Sequence, residues 1–287
     1  MKIGAGEYHS VVVDSEGGIW VAGENQRGEL GLPGVTSTKG GQELRELAKF
    51  GNFNAVCCCA STSLLLDEDG NVWGAGNNTS GQLSGDNSYE AREIFTKMNA
   101  ELPPIRFAAL SRCYVLIDES GNAWNGGCNN YGQLGRGTAS FFPAGNNSPL
   151  IIPDIPPVKL AACSILHSML LTETGEVYGC GSNVSGQITG TNDEQKYLKF
   201  THVPFEVPIE NIAVGSHVSV FIDEEGGVWL HGVRKVIKLA GARKELNLPP
   251  MKDVAISDEA IFLIDFEGCV WAAGTNRYGQ LGVEDKK

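Results

Sequence analysis

The apolar positions of the chain fall in short runs, and the runs recur. VVV at 11–13, LLL at 64–66, VLI at 115–117, MLL at 169–171, VFI at 220–222 and FLI at 262–264 are apolar at consecutive rather than alternate positions. A short run of this kind, rich in branched residues, predicts a strand covered on both faces. Each run is followed by a polar turn: DSEGG, DEDGN, DESGN, TETGE, DEEGG or DFEGC. Asp, Ser and Gly there supply side-chain hydrogen bonds to the backbone and the positive φ that a hairpin needs. A second strand comes next: IWVAG, VWGAG, AWNGG, VYGCG, VWLHG or VWAAG. A hairpin cannot bury both of its faces alone, so its neighbours must.

Aligned on the aromatic after the turn, the copies place Trp20, Trp73, Trp124, Tyr178, Trp229 and Trp271 at a period near 50 residues. The six copies span about residues 3–32, 57–85, 108–137, 161–190, 213–241 and 255–283. Radial four-stranded blades stacked around an axis meet the burial demand. The expectation is an all-β chain, 1–287, forming a single β-propeller with six blades by repeat count. A seven-bladed-like ring with an incomplete blade is the alternative. Since no connector joins the last copy to the first, either the first blade lacks a strand or the ring closes differently. Residues 42–50, QELRELAKF, predict a short amphipathic helix in the first connector.

Each copy ends in a second signature. Gly23-x-Asn25-x-x-Gly28-x-Leu30 recurs from Gly76, Gly127, Gly181 and Gly274, while the fifth copy, GVRKVIKLAG, has lost both Asn and Gly. Asn and Gly tolerate left-handed backbone, so this is a tight loop capped by a buried apolar residue. The combined pattern D-x-x-G-x-V-W-x-x-G-x-N-x-x-G-Q-L-G resembles the repeat of the regulator of chromosome condensation family. The match runs over nearly all of the chain between Ile3 and Val283.

That resemblance implies a propeller, typically of seven blades, whose best-known activity is guanine-nucleotide exchange on a small GTPase. The partner is expected on the face made by the turn before each apolar run and by the G-x-N-x-x-G loop. Carried over slot by slot, the turn positions are Glu7 and Tyr8, Ala60 and Ser61, Ser111 and Arg112, Ile165 and Leu166, Ser216 and His217, and Asp258 and Glu259. Glu7, Asp258, Glu259 and His217 are acidic or histidine candidates, and Arg112, Ile165 and Leu166 form an opposite group with an apolar anchor. Tyr8, Tyr131 and Tyr278 could supply an aromatic binding face. The family's inserted wedge and basic tail have no counterpart. Related propellers also serve as inhibitors, ubiquitin-ligase modules, scaffolds and secreted bacterial effectors that activate host GTPases. A non-catalytic scaffold, adaptor or inhibitor is therefore the alternative to GTPase regulation.

Composition narrows the partners. A net charge of −12 argues against a phosphate-binding surface, since nucleic-acid binders concentrate Lys and Arg. No apolar run approaches a membrane span, and Met1 leads straight into the first strand, leaving no room for a signal peptide. The expectation is a cytoplasmic monomer, or a secreted effector acting in a host cytosol, binding a protein without membrane insertion. The eight cysteines follow the repeat instead of metal spacing, with Cys58 and Cys163 in a small-residue slot shared with Ala5, Ala109, Val214 and Ala255. They read as packed thiols, with neither disulfide nor metal expected. No nucleophile elbow, phosphate loop or zinc motif is present, so no cofactor and no bond-making site is expected. His9 and His167 share one repeat slot, which points to a structural hydrogen-bonding role.

Overall fold

The computed structural model describes residues 1–38, 43–83, 88–98, 101–140, 148–191, 193–232, 243–244, 248–257, 260–277 and 279–282. They form six antiparallel sheets, each a meander of consecutive strands. The first holds β1 (Lys2–Ala5), β2 (His9–Val13), β3 (Ile19–Gly23) and β4 (Arg45–Glu46). The second holds β5 (Phe53–Cys59), β6 (Thr62–Asp67), β7 (Val72–Gly76) and β8 (Arg92–Lys97), and the third β9 (Ile105–Leu110), β10 (Cys113–Asp118), β11 (Ala123–Gly127) and β12 (Leu150–Ile151). The fourth contains β13 (Val158–Cys163), β14 (His167–Thr172), β15 (Val177–Ser182) and β16 (Lys196–Val203). The fifth contains β17 (Ile209–Val214), β18 (Val218–Asp223), β19 (Val228–Gly232) and β20 (Arg243–Lys244), and the sixth β21 (Met251–Ile256), β22 (Ala260–Asp265) and β23 (Val270–Gly274). These are the six blades of a β-propeller. The first blade has all four strands; the sixth has three among the described residues. The chain divides into two compact units, one of residues 1–129 and 140–157, the other of 130–139 and 158–287.

The apolar runs occupy the second strand of each blade. β6, β10, β14 and β18 are buried along their whole length, as unbroken apolar runs require, whereas β2 alternates between buried and half-buried. Within the first unit, Val11, Val21, Leu30, Phe53 and Leu65 make one core, and Leu64, Leu83, Ile105, Tyr114 and Leu116 the next. Within the second, Met169, Ile188, Ile209 and Phe221 make a third, and Val220, Leu230, Met251 and Leu263 a fourth. Each core is filled from two adjacent blades, so no blade is stable without a neighbour.

The polar residue that interrupts each first strand has its own explanation. The register shifts at the same point in five blades, skipping Asn54, Arg106, Lys159, Glu210 and Lys252 in the ladder. Such a bulge turns a side chain outward and increases strand twist. Two of these residues on adjacent blades, Lys159 and Glu210, form an ion pair.

The recurring tryptophan is a hydrogen-bond donor. Asp67 Oδ1 accepts from the backbone N–H groups of Asp69 (3.1 Å) and Asn71 (2.8 Å), while its Oδ2 accepts from Trp73 Nε1 at 2.9 Å. The same lock joins Asp14 to Trp20, Asp118 to Trp124, Asp223 to Trp229 and Asp265 to Trp271. The fourth blade changes both partners together. Thr172 stands at the aspartate position, its hydroxyl accepting from Glu176 N–H at 3.0 Å, and Tyr178, which lacks an indole N–H, replaces the tryptophan.

Two expectations are corrected. Residues 43–50 are not helical: Arg45–Glu46 is β4, Leu47 N–H donates to Ile19 O at 2.9 Å, and the Leu47 side chain is buried. A free sheet edge and an apolar slot outcompete helix propensity there. The small-residue slot is also different. Ala5, Cys58, Cys163 and Val214 face Ser10, Ser63, Ser168 and Ser219, but the equivalent positions of the third and sixth blades are Leu110, opposite Tyr114, and Ile256, opposite Ile261. Ala109 and Ala255 lie one residue away and on the other face. All eight cysteines are free thiols, and burial pushes Cys57 up to about 11 and Cys58 up to about 12. A thiol held protonated in this way is a packing group rather than a nucleophile.

Candidate functional site

In the first four blades the turn before the apolar run and the G-x-N-x-x-G loop are joined by backbone hydrogen bonds. Glu24 N–H donates to Tyr8 O (2.9 Å), Asn77 to Ser61 O (2.8 Å), Cys128 to Arg112 O (3.0 Å) and Ser182 to Leu166 O (2.9 Å). The glycine that opens the loop permits this approach. At Gly76, φ is +101° and a Cβ would stand 2.3 Å from Ser61 O, so no other residue fits. Turn and loop therefore share one end of each of these four blades, as the resemblance implies.

The loop is tied down by buried side chains. Asn183 Oδ1 accepts from Ile188 N–H (2.9 Å), and its Nδ2 donates to Thr191 O (2.9 Å) and Glu194 O (3.0 Å). Asn25, Asn78 and Asn276 repeat the first bond with Leu30, Leu83 and Leu281. The residue after the second glycine links one blade to the next. Gln133 Oε1 accepts from Tyr131 N–H (2.9 Å) and its Nε2 donates to Ile165 O (3.0 Å), while Gln187 makes the same pair of bonds with Ser185 N–H and Ser216 O. In the first blade Glu29 takes this place, accepting from Arg27 N–H at 2.7 Å, and Glu7 N–H reaches Ala60 O at 3.0 Å instead.

The two slot histidines complete the frame. Ser219 Oγ–H donates to Gln187 O (2.7 Å), so its oxygen is left to accept from His167 Nε2–H (2.7 Å), and Ser164 Oγ lies 3.1 Å from His167 Nδ1. His9, Ser63 and Glu29 O repeat the arrangement in the first unit, with His9 Nε2 2.8 Å from Ser63 Oγ. Counting donors in this way assigns the neutral Nε2–H tautomer to both rings. Burial depresses His167 to about 3 and His9 to about 4. A serine on each side of His167 suggests a catalytic pair, but the ring is fully enclosed, and no reacting group can approach it. These histidines are structural, as their repeat slot suggested.

What remains outward is the candidate contact surface. In the first unit Glu7, Tyr8 and Arg112 are exposed. The Tyr8 hydroxyl bonds the Glu7 carboxylate, and with Glu24 nearby the two negative charges hold its proton above the usual tyrosine range. In the second unit Tyr131 and Ile165 are exposed on adjacent blades and joined through Gln133, and exposed His217 has its Nδ1 3.4 Å from Ser185 Oγ. Leu166 is a correction: its side chain is buried in the blade, so the anchor expected of Ile165 and Leu166 falls to Ile165 alone. Turn residues alternate in direction, and the position facing the core cannot also face a partner. Asp258, Glu259 and Tyr278 lie outside the described residues, as does the drifted loop at 233–241. Among the described residues no group of three or more His, Cys, Asp or Glu side chains is placed to hold a metal ion, and no helix is long and apolar enough to cross a membrane.

The glutamine bridges and the Asp–Trp locks were missed in the sequence, although both left signals. Gln or Glu follows the second glycine wherever the loop is intact, and the one copy without Asp is also the one without Trp.

Six blades fastened in this way define a repeat propeller that presents rigid turns and loops. Models described as the regulator of chromosome condensation (RCC1) repeat match residues 2–29, 120–171 and 158–187. The chain carries RCC1-type repeats and folds as a β-propeller. Protein RCC2 homolog of Xenopus laevis is 25% identical over 251 residues, covering 78% of this chain and 48% of the relative. An X-linked retinitis pigmentosa GTPase regulator homolog of Caenorhabditis elegans is 29% identical over 189 residues, covering 63% of this chain and 13% of that protein. Among solved structures, Prp20p of Saccharomyces cerevisiae, described with its binding to Gsp1p and histones, superposes with a TM-score of 0.80 at 20% identity, covering 95% of this chain and 71% of its own. Yeast RCC1 (Prp20) bound to Kap60 gives 0.82 at 19% identity, with 96% and 69% covered. The chain thus spans about half the length of its RCC2 relatives and about 70% of these solved chains.

Proposed function

We propose that this chain is a protein-interaction propeller that regulates a small GTPase by gripping it with the turn-and-loop ends of its blades. The observation that carries the reading is the contrast between frame and surface. Polar groups beneath the turns are spent on one another, while Tyr8 in the first unit, and Tyr131 and Ile165 in the second, stand exposed on the frame of their own unit. Rigid aromatic and aliphatic side chains lose little entropy on binding and make effective anchors. The names of the relatives, among them a GTPase regulator, support the choice of partner.

Exchange by such a surface needs no bond-making. A GTPase holds its nucleotide mainly through phosphates and Mg²⁺. A partner that binds the empty GTPase more tightly than the loaded one drives release by that difference alone. Glu7 and Glu24 supply carboxylates that compete with phosphate for a GTPase lysine.

The test is release of a fluorescent GDP analogue from a panel of small GTPases. Acceleration on one member, reduced about tenfold or more by Tyr8→Ala or Ile165→Ala in a folded variant, is the expected result. Stable binding without acceleration on any member makes the protein a scaffold or inhibitor. If neither variant changes either readout, neither turn is part of the site.

A further inference from the structure

One residue in the loops breaks a rule that the other copies keep. The position after the second loop glycine is Gln82, Gln133, Gln187 and Gln280 in four copies, and Glu29 in the first. A glutamine there both accepts and donates. In Gln82, Gln133 and Gln187 the side-chain oxygen takes a loop N–H, and Nε2 gives a hydrogen to Thr62 Oγ1, Ile165 O and Ser216 O respectively. Glu29 keeps the first half of this pattern, since its Oε2 accepts from Arg27 N–H at 2.7 Å. It has no side-chain N–H for the second half, and the turn carbonyl across from it, Ala60 O, takes Glu7 N–H at 3.0 Å.

The position is nevertheless enclosed. Glu29 is 3% exposed, Ser63 Oγ–H holds its carbonyl at 2.8 Å, and a Cβ on Gly76 would stand 3.1 Å from its Cα. Among the described residues nothing donates to Glu29 Oε1, and no cation pairs with the carboxylate. Burying a carboxylate with one oxygen unserved costs stability that a glutamine in the same place would retain. Local rules are broken in this way chiefly where a chain binds something.

The surroundings say what it binds. Glu7 and Glu24 lie at the same end of the first blade, where both raise the Tyr8 hydroxyl, and Arg27 contributes its backbone N–H while its side chain is exposed. The missing group is therefore a cation with hydrogens to donate. With Oε2 engaged, a single oxygen is open, which suits the point charge of an ammonium rather than the two-pronged guanidinium. A recessed carboxylate also calls for a long apolar stem with the charge at its tip.

We propose that Glu29 receives a lysine side chain of the protein partner, with Glu7 and Glu24 drawing the ammonium towards it. The proposal rests on the reading above that this end of the blade meets a partner, and it names the group received there.

Glu29→Gln tests it, because the variant keeps the shape, removes the charge and supplies the absent donor. It should unfold at the same or a higher urea concentration than wild type. Its affinity for the GTPase picked out by the panel should fall about tenfold or more, with a shallower dependence on salt. Glu29→Asp, which withdraws the charge by one methylene, should fall between the two. Unchanged binding by folded Glu29→Gln overturns the proposal and leaves the GTPase reading in place. A lower unfolding midpoint also overturns it, because the carboxylate then belongs to the frame. If no GTPase binds the wild-type chain, the GTPase reading fails and the free chain decides, with N-acetyl-lysine methylamide as the probe. Its ammonium should move the carboxyl ¹³C signal of Glu29 more than that of exposed Glu119, and acetylating the probe's side-chain amine should abolish the difference. Equal shifts at the two carboxyls overturn the proposal.

Discussion

Acidification tests the buried histidines most directly. In the unfolded chain each imidazole titrates near 6.5, and in the fold His9 and His167 are depressed to about 4 and about 3. Between these limits the unfolded state binds more protons, so stability rises with pH there. The contribution is fully present above 6.5 and is lost as pH falls from 6.5 towards 4 and 3. At about 1.4 kcal/mol per pKa unit, full loss amounts to roughly 3 kcal/mol for His9 and roughly 5 kcal/mol for His167. Against a typical stability of about 5–15 kcal/mol, the pair is a large share of what holds the chain folded. The lock carboxylates do not confuse the window. Burial opposes ionisation of Asp67 and Asp118, but hydrogen bonds from Asn71 and Trp73, and from Asn122 and Trp124, hold both below the ordinary value of 3.8, and their losses come at lower pH. The assay is a set of denaturant titrations from pH 7 to 4.5, beside NMR of the imidazole Hε1 signals. Wild type should lose stability steeply below pH 6.5, and His167→Gln should flatten the slope by about one proton. A His167 resonance that titrates near 6.5, or stability that stays flat from pH 7 to 5, would refute both the tautomer assignment and the role of the frame.

Other changes read the remaining parts of the frame. Asn183→Ala leaves Ile188 N–H and the carbonyls of Thr191 and Glu194 without their partner in a buried loop, and should cost about 2–3 kcal/mol in chemical denaturation. Trp73→Phe removes the indole donor to Asp67 and should cost about 1–2 kcal/mol, with Asp67 returning towards its ordinary value by NMR titration. Ala60, held at φ 46°, should become more stable by about 1 kcal/mol as Ala60→Gly in thermal unfolding.

Much of this was legible because a repeat prints the same physics several times. The consecutive apolar runs gave both-face burial, and the recurring D-x-x-G and G-x-N-x-x-G gave the hairpin and the loop. What the repeat did not print was harder to read. Residues 42–50 carry leucines three apart, which fits a helix, and only the vacant edge of β3 makes them a strand. The Ile165–Leu166 pair looked like one apolar anchor until the register sent Leu166 into the core. Ala109 and Ala255 matched a small-residue slot by composition but sit one residue out of register.

The substitution of Thr172 and Tyr178 for Asp and Trp shows how the conserved chemistry and the surface are related. Each lock holds a hairpin turn by a carboxylate that is fully used: Oδ1 takes two backbone donors and Oδ2 the indole. Removing the carboxylate leaves the indole N–H without a partner at a half-buried position, so the two changes favour each other. A Thr172→Asp, Tyr178→Trp double variant should therefore gain more stability than its single variants sum to, by about 1 kcal/mol in a double-mutant cycle. Additive single effects would mean that the lock is a geometric coincidence of the blades rather than a coupled pair. The same logic separates frame from function at the opposite end, where Gln133 and Gln187 are enclosed and fully engaged while Tyr131, Ile165 and His217 above them are not. Substitutions below the turns should move stability, and substitutions on them should move binding.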